Sequence, residues 1–150
     1  NGYHGDSAYT FLVGDVTMDA VNLARVTKEC VFKGIEMAIA GNRIGDISYA
    51  VQNYAESFHG YGVVRELVGH GLGKSLHEEP DVPNFGARGK GPKMQEGLVI
   101  AIEPMVAVGA WPIKILANDW DVAMKDNSFS AHFEHTVLIT EDGAEILTRL

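Results

Sequence analysis

Apolar and polar residues change rhythm twice along this chain. Near its start, Tyr9, Phe11 and Val13 alternate with Ala8, Thr10 and Leu12, a run rich in strand formers that predicts a β-strand. Asn1-Gly2 ahead of it is a hairpin-turn pair. The rhythm then becomes helical. Ala20, Ala24, Val31, Ile35 and Ala38 predict a helix over 19–40 with Gly41 as its stop. Ile47, Ala50, Val51, Tyr54, Ala55 and Phe58 predict a second over 46–58, with Asp46 near its positive end. Beyond Gly60 and Gly62 the pattern shortens again. Val63–Val68 is a strand candidate, and 69–97 is a Gly- and Pro-rich stretch of little periodicity. Loops of that length are usually functional or disordered. Leu98–Val106 and Phe133–Thr140 are apolar strands, and Ile113–Leu116 with Trp120–Met124 forms a hairpin around Asn118-Asp119. Glu141-Asp142-Gly143 turns the chain into a last strand, Ala144–Leu150. A strand, two helices, then mostly strands predict an α+β fold, with helices on one face of a mostly antiparallel sheet.

Composition narrows the function. The 150 residues, 46% of them hydrophobic, suffice for one core. Lys and Arg total 12 against 20 acids, which excludes a nucleic-acid surface built on bulk charge. The longest apolar stretch, 97–111, is interrupted by Glu103 and Pro104 and is too short to span a bilayer, so no membrane partner is expected. No charged start followed by an apolar segment is present. Cys30 stands alone, which excludes an internal disulfide and fits a reducing, cytoplasmic setting.

The chemistry lies in polar residues set among apolar ones. Glu103 interrupts Leu98–Val106, and Glu134 sits within Phe133–Ile139. A buried carboxylate needs a cation partner, a metal or a shifted pKa, whereas a solvent-facing strand acid needs nothing. His70 lies between Gly69 and Gly71, which allow another group close to the backbone. His77 follows in Leu76-His77-Glu78-Glu79-Pro80, and Asp6 stands at the mouth of the first strand. Each alone also reads as an ordinary turn, loop or surface residue. Together, one imidazole and three carboxylates form an oxygen-rich donor set suited to Mn, Fe(II), Co or Zn in hydrolytic work. Cys30, on the first helix, reads as a small core side chain.

Five motifs in order carry a resemblance: His4-Gly5-Asp6-Ser7, Gly69-His70-Gly71-Leu72-Gly73, Leu76-His77-Glu78-Glu79-Pro80, Ile102-Glu103-Pro104-Met105-Val106 and Phe133-Glu134-His135-Thr136. With Asp119-Trp120 and Glu145-Ile146-Leu147-Thr148, the chain resembles the C-terminal part of the type I methionine aminopeptidases, of the pita-bread metallopeptidase fold. The resemblance implies metal-dependent removal of N-terminal methionine from peptides and nascent proteins. It implies Asp6, His70, Glu103 and Glu134 as metal ligands, Asp6 and Glu134 as the carboxylates that bridge two metals, and His77 as a contact to the scissile peptide; by its chemistry Glu103 also suits a general base toward the attacking water. Trp120 would line the methionine pocket, and Leu76 stands where relatives often carry a bulkier aromatic. The family pattern has one more aspartate, on a strand before Asn1-Gly2. Residues 1–150 are therefore expected to be part of a catalytic domain whose N-terminal portion is missing and acts as a partner. Of the two metals of the full enzyme, the chain alone is expected to hold at most one. A non-catalytic binding module of the same fold and a peptidase cleaving next to proline are the alternatives.

Overall fold

The computed structural model describes residues 1–149. The elements in chain order are β1 (Ser7–Ala8), α1 (Met18–Ile35), α2 (Ile44–Gln52), a π-helical turn (Asn53–Phe58), β2 (Gly62–Val63), β3 (Gly69–Gly71), β4 (Glu78–Val82), β5 (Val99–Ile102), β6 (Met105–Ala107), β7 (Ile113–Ile115), β8 (Val122–Met124), β9 (Ser130–His132), β10 (Glu134–Ile139) and β11 (Ala144–Ile146). The main sheet runs β1-β10-β5-β3-β4, with β11 also on β10. β2-β6-β9 form a second sheet and β7-β8 a two-stranded arm. Every strand pair among the described residues is antiparallel, as the α+β pattern predicts.

One core joins helices to sheet. Leu23, Val26 and Val31 of α1 and Ile47 and Val51 of α2 pack with Ile100, Ile102, Val137 and Ile139 from β5 and β10. Side chains alternate along a strand, so the residues between these point the other way. On β10 the opposite phase is Glu134 and Thr136. Helices therefore take one face of the sheet and the acids the other. Gly34 lets α1 approach closely: a Cβ there would press on Ile102, Val51 and Ile47. Cys30 is fully buried in this core, and burial pushes its thiol up to about 12. It is a packing residue.

Several predicted elements differ. The first strand pairs with β10 only at Ser7 and Ala8; beyond them Phe11 and Val13 are exposed. Alternation made them eligible for a strand, but among the described residues they have no strand partner. The first helix stops at Ile35, because the amides of Ala40 and Gly41 go to the distant carbonyls of Thr140 and Met94. The stretch 69–97 holds β3 and β4, too short and glycine-rich to register as strands. Leu98–Val106 breaks at Glu103-Pro104 into β5 and β6, which belong to different sheets. Proline has no amide for a ladder. The second helix spans the predicted length but closes in the π-helical turn. The final strand is seen at Ala144–Ile146, and its predicted end, Leu150, lies outside the described residues.

Candidate metal centre

Four elements carry the site. Asp6 precedes β1, and its backbone is fastened to β10: the Thr136 hydroxyl accepts from the Asp6 amide (3.0 Å) and donates to its carbonyl (2.7 Å). The Ser7 amide holds Asp6 Oδ1 at 3.0 Å, leaving Oδ2 facing His70 Nε2 at 4.0 Å. His70 lies in β3 between two glycines packed tightly against their neighbours. A Cβ on Gly69 would strike the Ala101 carbonyl, and one on Gly71 the Glu79 carbonyl. The glycines thus bring neighbouring backbone close to β3. His70 Nδ1 lies 2.9 Å from the Gly71 carbonyl, an acceptor, so that nitrogen carries the proton. Nε2 is the ring nitrogen turned toward the acids and the one left to bind a metal.

Glu103 sits at the break between β5 and β6, its carbonyl accepting from the buried Asn84 side chain at 3.3 Å. One of its carboxylate oxygens lies 3.4 Å from His70 Nε2 and the other 3.5 Å from His132 Nε2. Glu134, on β10, is buried, and its Oε1 has no hydrogen-bond partner. Burial first, then the charges of Glu103 and Asp6, push its carboxyl from 4.5 up to about 8. Among the described residues, no lysine or arginine pairs with these three acids. Ligand atoms of Asp6, His70 and Glu134 lie within 4.8 Å of one another, as do those of Glu103, His132 and Glu134. A buried carboxylate with an orphaned oxygen, among like charges and a correctly tautomerised imidazole, fits a divalent cation.

The His77 ring lies 4.2 Å from that of His70, centre to centre. Both His77 and Glu103 border a groove of about 510 Å³ whose apolar wall includes Leu67, Val68, Met105, Ile113 and Met124. The structure thus brings Asp6, His70, His77, Glu103 and Glu134 together. It does not bring Leu76 or Trp120 to this groove. Leu76 is on an exposed loop, and Trp120, on the turn of the β7-β8 arm, is 85% exposed. His132 and Thr136 escaped sequence reasoning, although a signal existed: Thr136 is spaced by two from Glu134 on the same face of β10, and His132 stands two residues before Glu134, at the end of β9. Asn84 gave none.

The chain matches the model of metallopeptidase family M24 over residues 1–141 and belongs to that family, whose members use divalent metal. It is 55% identical over 148 residues to the methionine aminopeptidase of Clostridium acetobutylicum, covering 99% of this chain and 59% of that protein. It is 49% identical over 150 residues to methionine aminopeptidase 1 of Bacillus subtilis, covering 100% and 60%. The crystal structure of methionine aminopeptidase from Thermotoga maritima superposes with a TM-score of 0.96 at 46% identity, over 99% of this chain and 59% of that one. The prolidase from Pyrococcus furiosus gives a TM-score of 0.75 at 25% identity, over 100% and 38%. The fold is the pita-bread fold shared by these enzymes. The chain spans about three fifths of the length of the curated relatives it matches.

Proposed function

We propose that the protein is a metal-dependent methionine aminopeptidase, removing the N-terminal methionine from peptides and nascent proteins in the cytosol. The carrying observation is the convergence of Asp6, His70, Glu103 and Glu134, without a lysine or arginine partner, at the end of an apolar groove. Asp6, His70, Glu103 and Glu134 would hold the cation, and their oxygen-rich character suits Mn, Fe(II), Co or Zn. When bound, a divalent ion supplies the Lewis acidity that makes water nucleophilic near neutral pH and polarises a peptide carbonyl.

The rest is the work of side chains. Glu103, at 13% side-chain exposure, accepts the water's proton and is positioned to return it to the leaving amine. His77, exposed at the groove, donates a hydrogen bond to the oxygen that gains charge, a contact worth on the order of 3 kcal/mol. The acids attract the free amino group of a substrate, which limits cleavage to the first bond. Met105, Met124 and Leu67 offer the polarisable, flexible wall a thioether needs. This reading assigns Trp120 and Leu76 to the groove's surroundings rather than to its wall. It also takes residues 1–150 as part of a catalytic domain, with an N-terminal portion supplying a further aspartate. The length of the relatives supports this.

Identity near 50% to methionine aminopeptidases, against 25% to the prolidase, favours methionine over proline specificity. The test is a paired assay of the metal-loaded protein on a Met-Ala peptide and an Xaa-Pro peptide. Release of methionine with no cleavage beside proline is expected. Cleavage of the Xaa-Pro peptide alone, or of neither with metal bound, overturns the proposal.

A further inference from the structure

His77 reaches the site from a loop. Residues 73–77 join β3 to β4 without strand pairing of their own, and Lys74 to His77 are exposed. Yet the His77 ring lies 4.2 Å, centre to centre, from that of His70, which is buried in β3. Ordering an exposed loop costs conformational entropy at each residue, so specific contacts must hold it there.

Those contacts converge on Glu78 and Gly73. Glu78, the first residue of β4, pairs with Gly71 across the ladder. Its side chain turns back into the loop, where Oε1 accepts from the Ser75 amide at 2.7 Å, the length of a charge-assisted bond. Gly73 leaves that carboxylate its space: a Cβ there would lie 3.1 Å from Oε2 and 3.3 Å from Oε1. The Gly73 amide donates to the Ser75 carbonyl at 3.1 Å, so Ser75 is held through both of its backbone groups. From outside, the Gly73 carbonyl accepts from the His4 amide at 2.8 Å. His4 stands two residues ahead of Asp6, so the loop bearing His77 and the segment bearing Asp6 are fastened to each other. Among the described residues, Glu78 forms no ion pair and belongs to neither group of candidate donors. Its charge is spent on the loop's own backbone. We propose that Glu78 is a positioning residue: its carboxylate closes the loop and holds the His77 ring where it can donate to the oxygen that gains charge. Glu78 itself touches neither substrate nor metal and acts through His77. This inference rests on the proposed aminopeptidase reaction and on the part His77 takes in it.

The experiment compares Glu78→Ala, which removes the acceptor, with Glu78→Gln, which keeps an oxygen for the Ser75 N–H. In the metal-loaded protein, Glu78→Ala should lower kcat for methionine release from a Met-Ala peptide about tenfold, with KM within about twofold. Glu78→Gln should recover at least about half of the parent rate. Because Glu78 acts through His77, Glu78→Ala in a His77→Ala background should change kcat by less than about twofold. Hydrogen exchange at the Ser75 amide, followed by NMR, reads the loop without reference to activity. It should be about tenfold faster in Glu78→Ala and close to the parent in Glu78→Gln. An undiminished rate in Glu78→Ala, a Gln variant no better than Ala, an equal loss in the His77→Ala background, or unchanged exchange at Ser75 overturns the proposal and leaves the aminopeptidase reading standing. A metal-loaded parent protein that releases no methionine overturns that reading, and this inference falls with it.

Discussion

The metal centre and the β7-β8 arm are both made of short antiparallel strands, yet they are built on different principles. At the centre, three of the residues are held by contacts far apart in sequence: Asp6 by Thr136, Glu103 by Asn84, His132 by Thr10. The arm's strands pair only with each other. Ile115, Trp120 and Val122 on it are exposed, and it is anchored at its base, where Met124 is buried with Val64 and Ala107 and Ile113 packs against them, Glu66 accepts from the Ile113 amide, Lys114 reaches Asn127, and Arg65 lies over the Trp111 ring. Donors must be fixed within fractions of an ångström to bind an ion, whereas a groove wall can adjust to its occupant. Geometry-critical chemistry sits where long-range pairing is dense, and the adaptable surface sits where it is sparse.

The sharpest way to break this contrast is at the centre. Glu103→Gln keeps the shape and removes the base, so kcat for methionine release should fall by about 10²–10⁴-fold with the circular dichroism spectrum unchanged. A variant retaining most of its rate would remove Glu103 from the reaction.

Metal removal should expose the strain of the gathered acids. Glu134 carries a folded-state value of about 8 against an ordinary 4.5, raised by burial and by Glu103 and Asp6. The stability tied to its neutral form is fully present below about 4.5 and is lost as pH rises through about 8. Chelated protein should therefore be less stable by a few kcal/mol at about pH 9 than at about pH 6. Saturating divalent metal should flatten the difference. Thermal melts at both pH values, with and without metal, measure this, and a flat chelated profile would contradict it.

Gly71→Ala tests the tight frame around His70. The added methyl meets the Glu79 carbonyl, and the expected loss is about 1–3 kcal/mol in denaturant unfolding. Metal affinity should fall with it, since β4 must move. The smallest effect is expected on the arm. Trp120→Ala removes a side chain that is 85% exposed and should change stability by less than about 0.5 kcal/mol. A larger loss would show the arm to be anchored more firmly than its contacts indicate.

Much of the centre was legible as an anomaly. Glu103 and Glu134 stood out because apolar strands have no cheap place for a carboxylate. His70 stood out because glycines flanked it. The helices were legible from periodicity over several turns, and only the end of α1 and the π-helical closure of α2 differed. β3 and β4 were hidden because three to five residues bearing Gly, Pro and acids have no strand pattern of their own. Trp120, assigned by resemblance to a pocket, lies on the exposed turn of the arm, beyond the strand residues that line the groove, a placement no local pattern encodes.

What the sequence alone determined is therefore the kind of chemistry: an oxygen-rich donor set, an acidic surface, a core of ordinary size and a single inert cysteine. These follow from residue type and short-range spacing. The tertiary structure decided which donors meet and which remain apart. Asp6 and Thr136, 130 positions apart, share two hydrogen bonds because β1 pairs with β10. His132 faces Glu103 because β9 pairs with β6, just past the break at Pro104. Such neighbours are fixed by sheet register, a collective property of the packed chain that no segment carries by itself.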